Sequence, residues 1–337
     1  MENVQPDQFR YELIDETPEN PMVCVAMLTY NHQEFIKEAL DSILMQKTNF
    51  SIKVVIADDF STDDTRKIVL EYQKEYPEIF KLVFQKKNLG HIENNLDLYR
   101  NIGGKYIAVL EGDDYWTDPI KLQKQVDFLE LNPEYSFCCH NNSLVIFETG
   151  EVSIRNDEGD PEEDIDLKSV LIKRTFASGS FVYRMSALKK KTIDMMSKVM
   201  NFDYALIILL AEQGPGRYFP DNMSAYRRHE GGVWTGIKDF KFFHRLGIKF
   251  YGLLLKHFKD PEIRKIIHYK INENNRDMAQ DQIRNGQIIR GIFRWIQHYD
   301  FPKEKGLGIP FRMIWIDIKS GIKKNLNISK IKSGHSG

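Results

Sequence analysis

The chain has 337 residues, 42% hydrophobic and 28% charged, which suits one large or two smaller packed domains and excludes a disordered chain. A net charge of −1 argues against a dedicated nucleic-acid binder, which needs a basic surface to neutralise phosphates. The charge is split, however. From Gly236 onward there are 21 Lys+Arg against 9 Asp+Glu, and before it 26 against 39, so the two parts face different surroundings.

The polar, acidic start, MENVQPDQFRYELIDETPEN, lacks the basic head and apolar run of a signal peptide and reads as an arm over residues 1–20. An apolar run, Met22 to Leu28, predicts a buried strand, and Phe35, Ile36, Ala39, Leu40, Ile43 and Leu44 give helical spacing over Glu34 to Gln46. A second strand, Ile52 to Ala57, leads into Asp58-Asp59-Phe60-Ser61-Thr62-Asp63, then a helix stops near Pro77. A short strand from Leu82 to Gln85 precedes Asn88-Leu89-Gly90 and a helix from about Ile92 to Asn101. The fourth strand, Tyr106 to Leu110, ends in Glu111-Gly112-Asp113-Asp114. A helix from about Pro119 to Leu131 and a strand region, Tyr135 to Phe147, follow. Glu151 to Asp166 reads as an acidic loop without regular structure.

Strands alternating with helices predict an α/β fold with a mostly parallel central sheet flanked by helices. From about Ile237 the pattern is helical and basic. Cys24, Cys138 and Cys139 are odd in number and two are adjacent, so they form no disulfide framework and suit reduced thiols in a cytoplasmic protein. No uninterrupted apolar stretch reaches the ~20 residues that span a bilayer, which leaves surface attachment open.

Polar clusters recur just after strand ends, where open α/β sheets bind ligands. Glu111, Asp113 and Asp114 place three carboxylates within four residues. Like charges this close repel unless a cation sits among them, and a hard divalent ion such as Mg²⁺ or Mn²⁺ would do so while leaving positions for phosphate oxygens. A solvated acidic turn capping the next helix is the competing reading. Asp58-Asp59 can place one side chain in a pocket and the other at a helix cap. Thr29-Tyr30-Asn31-His32 can offer an aromatic face and amides to a planar base. Thr175 to Ser180 suits a buried strand with incidental hydroxyls.

Taken in order, VCVAMLTYNHQEFIKEALDSILMQ, VVIADDFSTDDT, NLGHIENNL and YIAVLEGDDYWTDPIKLQKQVDFLE resemble the family 2 glycosyltransferases of the GT-A nucleotide-binding fold. The resemblance runs roughly from Pro21 to Trp234 and implies a catalytic domain over 21–235 followed by a basic helical region, 236–337. It implies an inverting transfer from a nucleoside diphosphate sugar, a UDP-sugar in the first instance, to a hydroxyl of a glycan or lipid-linked acceptor. Thr29, Tyr30, Asn31, Glu34 and Asp58 would hold base and ribose, with Asp59 supporting the loop. Gly90 and Asn94 match the family's loop near the nucleotide. The usual Asp-x-Asp metal motif is here Glu111-Gly112-Asp113, with Asp114 next to it, so Asp113 is the foremost ligand of a Mn²⁺ or Mg²⁺ ion. Asp203, otherwise a first-turn helix acid, resembles the catalytic base. His229 would complete the metal site, and Arg227 or Arg228 would reach phosphate.

Phe311, Trp315, Ile318 and Ile322, with Arg312, Lys319, Lys323 and Lys324 around them, form a basic amphipathic pattern. It suits either packing against the protein or peripheral contact with an anionic membrane at the inner face. Two other readings compete: a nucleotidyltransferase, whose Gly-rich loop is missing after the first strand, and an inactive sugar-nucleotide binder or scaffold.

Overall fold

The computed structural model describes residues 10–154, 162–173, 176–199, 202–232 and 240–298. These fall into two compact units divided between Gly232 and Val233.

The first unit is built on one mixed sheet. In chain order its elements are β1 (Tyr11–Ile14), β2 (Val23–Thr29), α1 (Ile36–Leu44), β3 (Ile52–Asp58), α2 (Thr65–Glu75), β4 (Phe80–Gln85), α3 (His91–Asn101), β5 (Tyr106–Val109), β6 (Tyr115–Trp116) and α4 (Lys121–Leu131). Then come β7 (Phe137–Ile146), β8 (Glu151–Ile154), β9 (Glu163–Ile165), α5 (Leu167–Lys173), β10 (Val182–Arg184), α6 (Lys190–Met196), α7 (Phe202–Ala211) and β11 (Gly216–Arg228). The strand order is β1-β4-β3-β2-β5-β10-β7-β11-β6, with β8 on β7 and β9 on β11.

The block β4-β3-β2-β5 is parallel throughout. Its strands are runs such as VCVAMLT and IKVVIAD, buried along nearly their whole length. Burial of both faces calls for such continuous apolar runs. Helix α1 turns Ile36, Ala39, Leu40 and Ile43 inward, the four-residue recurrence that makes one face apolar. Parallel register sets Thr29 opposite Asp58, so the loops after β2 and β3 start side by side.

Two additions close the other end of the sheet. β10 lies antiparallel between β5 and β7, and the long β11 runs parallel to β7. β11's register slips between Phe219 and Ser224, around Pro220, which has no N–H to give to the ladder. Beyond the slip, Ser224 and Ala225 pair with Trp116 and Tyr115 of β6. That short pairing carries the end of β11 to the acidic turn after β5.

Three elements depart from expectation. Residues 11–14, expected in a free arm, form β1 along β4. The acidic segment expected to be irregular contributes β8 and β9.

The second unit contains α8 (Phe240–His257), α9 (Pro261–Arg284) and α10 (Ile288–Gln297). Asp260 caps α9 by accepting from Ile263 N at 2.9 Å, with Pro261 in the first turn where no N–H is needed. Ala279, Ile283 and Trp295 form its small core between α9 and α10. No helix among the described residues is long and apolar enough to cross a membrane. The basic amphipathic pattern around Phe311–Lys324 lies outside the described residues.

Candidate active site

The site lies beyond the carboxyl ends of β2, β3 and β5. Gly112 is its pivot. Its N–H reaches Leu28 O at 2.9 Å, which pulls the turn after β5 against the end of β2. A Cβ there would meet Thr29 Oγ1 at 2.8 Å and His32 Nδ1 at 2.9 Å, so this close approach requires glycine.

Asp113 is thereby aimed at two imidazoles. Its Oδ2 lies 3.1 Å from His229 Nε2 and 3.8 Å from His32 Nε2. Among the described residues, His32, Asp113 and His229 form a group able to hold a metal ion, with ligand atoms within 4.8 Å of one another. The other Asp113 oxygen, Oδ1, is buried without a hydrogen-bond partner. A buried orphan carboxylate oxygen is costly, and a cation relieves that cost. Burial pulls the Asp113 pKa up, but His229 and His32 outweigh it and hold the carboxyl below its usual range. Burial pushes the His32 pKa down, against the pull of Asp113, which favours the neutral ring that a metal needs. These donors fit a divalent transition ion such as Mn²⁺.

Local structure explains the convergence. His32 N donates to Thr65 Oγ1 at 2.8 Å, and His32 O receives the first N–H groups of α1. His229 follows β11 and packs its ring on Phe35, centroids 4.6 Å apart.

The neighbouring acids have other duties. Asp114 is buried and accepts from Arg227 N at 2.8 Å, tying the turn to β11. It lies outside the metal-capable group of His32, Asp113 and His229. Burial, with Asp113 and Glu111 adding to it, raises its pKa well above the ordinary value. Glu111 is also outside that group and pairs with the Ser178 side chain. Its pKa is pushed up to about 8 by burial first, then by Asp113 and Asp203. Asp203, in the first turn of α7, is thus near enough to feel Glu111, and it also acts on His91. Asp203 and the acidic turn therefore share one electrostatic neighbourhood.

Four expected ligand contacts are taken up within the protein. Asp58 is fully buried, pairs with the Arg66 guanidinium and accepts from Ser61 N at 3.0 Å and from Ser61 Oγ. Asn94 gives its amide to Ala57 O at 2.9 Å and accepts from Gln85 at 3.1 Å. Asn31, at φ 54°, accepts from Thr62 N at 2.8 Å and so staples the β2 loop to the β3 loop. Arg227 is buried over Tyr115, pairs with Glu38 and donates to Asp113 O at 2.9 Å. These contacts tie Arg227 to the acidic turn.

Other residues remain open to a ligand. Tyr30 is 43% exposed at the strand end, Glu34 is exposed, and Thr29 Oγ1 is buried without a partner. Asp59, by contrast, is buried with both carboxylate oxygens engaged, accepting from Leu89 N at 2.7 Å and Gly90 N at 2.8 Å and so fixing the loop before α3. Gly90 itself stands at φ 81° with open space around its Cα. Sequence reasoning missed His32 as a ligand, along with Glu38 and Arg66 as the groups that occupy Arg227 and Asp58. His32 had a signal, its place beside Thr29-Tyr30-Asn31, whereas Glu38 and Arg66 look like ordinary exposed helix charges.

The model of glycosyl transferase family 2 matches residues 24–191. The uncharacterized protein Rv1520 of Mycobacterium tuberculosis is 37% identical over 213 residues, 62% of this chain and 60% of that protein. The chain thus spans about three-fifths of that relative's length. In structure, S. aureus TarS 1-349 in complex with UDP-GlcNAc matches 82% of this chain and 79% of its own at a TM-score of 0.59 and 18% identity. The mannosyltransferase PcManGT from Pyrobaculum calidifontis, in complex with GDP-Man and Mn2+, matches 95% and 91% at 0.54 and 14%. The GT-A fold, the turn after β5 and the match over residues 24–191 make this chain a member of glycosyl transferase family 2.

Proposed function

We propose that the chain transfers a sugar from a nucleoside diphosphate sugar, a UDP-sugar in the first instance, to a hydroxyl of a glycan or lipid-linked acceptor. The observation that carries this reading is the partnerless buried Oδ1 of Asp113 beside His32 and His229. TarS and PcManGT, which share the fold, bind UDP-GlcNAc and GDP-Man with Mn2+ respectively.

Asp113, His32 and His229 would hold the metal. Two imidazoles and one carboxylate favour Mn²⁺ over Mg²⁺, which prefers an all-oxygen shell. When bound, such an ion supplies Lewis-acid stabilisation of the departing diphosphate. Tyr30 offers its exposed ring to the base, and Thr29 and Glu34 reach toward the nucleoside. Asp59 fixes the Gly90 loop beside the nucleotide, while Asp58 is held by Arg66 and Ser61 at the end of β3. Asp203 accepts the proton of the acceptor hydroxyl. The hydroxyl oxygen bonds to the anomeric carbon as the bond to the diphosphate breaks, and the configuration inverts. We place the reaction in the cytoplasm, where the three buried free cysteines stay reduced.

Calorimetry with UDP and Mn²⁺, coupled to a transfer assay over a panel of sugar nucleotides, tests the reading. Asp113→Ala should remove the metal-dependent part of nucleotide binding. Asp203→Asn should bind donor normally and turn over about 10²–10⁴-fold more slowly. Wild-type turnover in Asp203→Asn would overturn the base assignment, and metal-independent binding would overturn the metal site.

A further inference from the structure

Helix α10 shows two different faces. On one, Trp295 and Gly291 are buried, and a Cβ on Gly291 would meet Ile283 Cγ1 at 2.5 Å and Ala279 O at 2.7 Å, so α10 sits hard against α9. On the other, Ile289, Phe293 and Ile296 are 87%, 65% and 59% exposed. Their spacings of four and three put them on adjacent turns of one face. Scattered exposed apolar residues are ordinary, but a stripe of three such large side chains marks a surface that meets something apolar.

The helix, IIRGIFRWIQ, contains no acidic residue. Arg290 lies exposed along one edge of the stripe, about 100° around the axis from Ile289 at 100° per residue, while Arg294, further round, turns its guanidinium to Met278 Sδ on α9. An apolar stripe edged by a cation, on a helix without a carboxylate, is complementary to an anionic headgroup layer with acyl chains beneath it.

We propose that α10 docks this chain on an anionic membrane surface, with Ile289, Phe293 and Ile296 entering the acyl boundary and Arg290 meeting the headgroups. A second copy of the chain suits the surface less well. A ten-residue helix is about 15 Å long, and a stripe of that length falls well short of the ~800 Å² that each partner buries in a stable interface. The chain's own residues 301–337 suit it less well too, since they carry 8 Lys+Arg against 2 Asp+Glu and would bring cations to cations. The surface is separate from the sequence pattern around Phe311–Lys324, and the proposal does not rest on the glycosyl-transfer reading.

The test is co-sedimentation of the full chain with vesicles of phosphatidylcholine containing phosphatidylglycerol, and with phosphatidylcholine alone. The wild type should pellet with the anionic vesicles. The double variant Ile289→Glu/Phe293→Glu should bind them about tenfold or more weakly, and Arg290→Glu about fivefold or more weakly. These positions are exposed, so circular dichroism melts should match the wild type. No vesicle binding by the wild type, or equal binding by the double variant, would overturn the proposal. It is also overturned if the double variant changes only concentration-dependent self-association in sedimentation velocity, or if Phe311→Glu/Trp315→Glu alone abolishes vesicle binding.

Discussion

Lys121 begins α4 with its side chain wholly buried and its ammonium nitrogen without a hydrogen-bond partner. The nitrogen lies 4.3 Å from the centroid of the Trp116 ring. Its nearby titratable group is Cys138, whose own thiol burial pushes up to about 12, so no carboxylate compensates the charge. Burial therefore lowers the lysine from 10.5 to about 7. Below pH 7 both folded and unfolded chains hold the proton, and the folded state bears the full cost of the buried charge. As pH rises, the folded protein releases the proton first while the unfolded chain keeps it until about 10.5, so stability increases over that window. Buried Cys24 and Cys138, raised to about 11 and 12, act in the opposite direction once the unfolded thiols ionise near 9. Glu111, raised from 4.5 to about 8, also opposes the rise until it ionises in the folded protein, so the Lys121 slope is read as a difference between variants: from pH 7 to about 8.5 Lys121 should add about 2 kcal/mol, or roughly 5 °C in the midpoint of thermal unfolding. Lys121→Met, measured by calorimetric unfolding across that interval, should lose this slope and should exceed the wild type in stability below pH 7. An unchanged difference between the two proteins from pH 6 to about 8.5 would refute the claim that the amine is buried unpaired.

Gly112→Ala should leave the core intact but push a methyl into Thr29 Oγ1 and His32 Nδ1. Mn²⁺ affinity measured by calorimetry should fall about tenfold or more, as misplaced ligands do elsewhere. Asp58→Asn should leave Arg66 without its anion and cost about 2–3 kcal/mol in denaturant unfolding, less than a wholly buried pair because Arg66 is partly exposed. The variant's nucleotide affinity, measured well below the unfolding transition, should stay within about threefold of the wild type, since the carboxylate is already fully engaged inside the protein. Arg227→Met should remove the clamp on Asp113 O and lower turnover about tenfold to hundredfold, with the folded fraction followed by circular dichroism.

The parallel block of the sheet was legible because burial on both faces demands uninterrupted apolar runs, and VCVAMLT, IKVVIAD and YIAV stand out from polar flanks. The strands that escaped notice lack that signature. β1 is four residues with a single buried position within an acidic segment, β8 is exposed along its length, and β6 has only two residues. Each is defined by the strand it pairs with and not by its own composition. The site was legible to the extent that its chemistry is local. The turn Glu111-Gly112-Asp113-Asp114 is a single stretch of chain, and Asp113 sits at its centre. His32 and His229 come to it from opposite ends of the first unit, through a glycine that lets two loops touch and a two-residue strand that guides β11. Neither device has a residue pattern of its own.

The paired aspartates show the same limit at finer scale. At the end of an extended strand, successive side chains point to opposite sides. Of two adjacent carboxylates, one can face the cleft and the other is carried into the protein, where it requires a donor or a cation. Asp58 turns inward to Arg66 and Ser61, while Asp59 turns to the Gly90 loop. In the turn beyond β5, where strand alternation no longer applies, Asp114 turns inward to the backbone of β11, while Asp113 faces His32 and His229. The inward member is the first of one pair and the second of the other. Which one turns in depends on the strand's register and the turn that follows it, both decided by neighbours distant in sequence. The doubled acids therefore announce a site without saying which acid serves it, and among these four it is the unpartnered Oδ1 of Asp113 that marks the carboxylate left to a ligand.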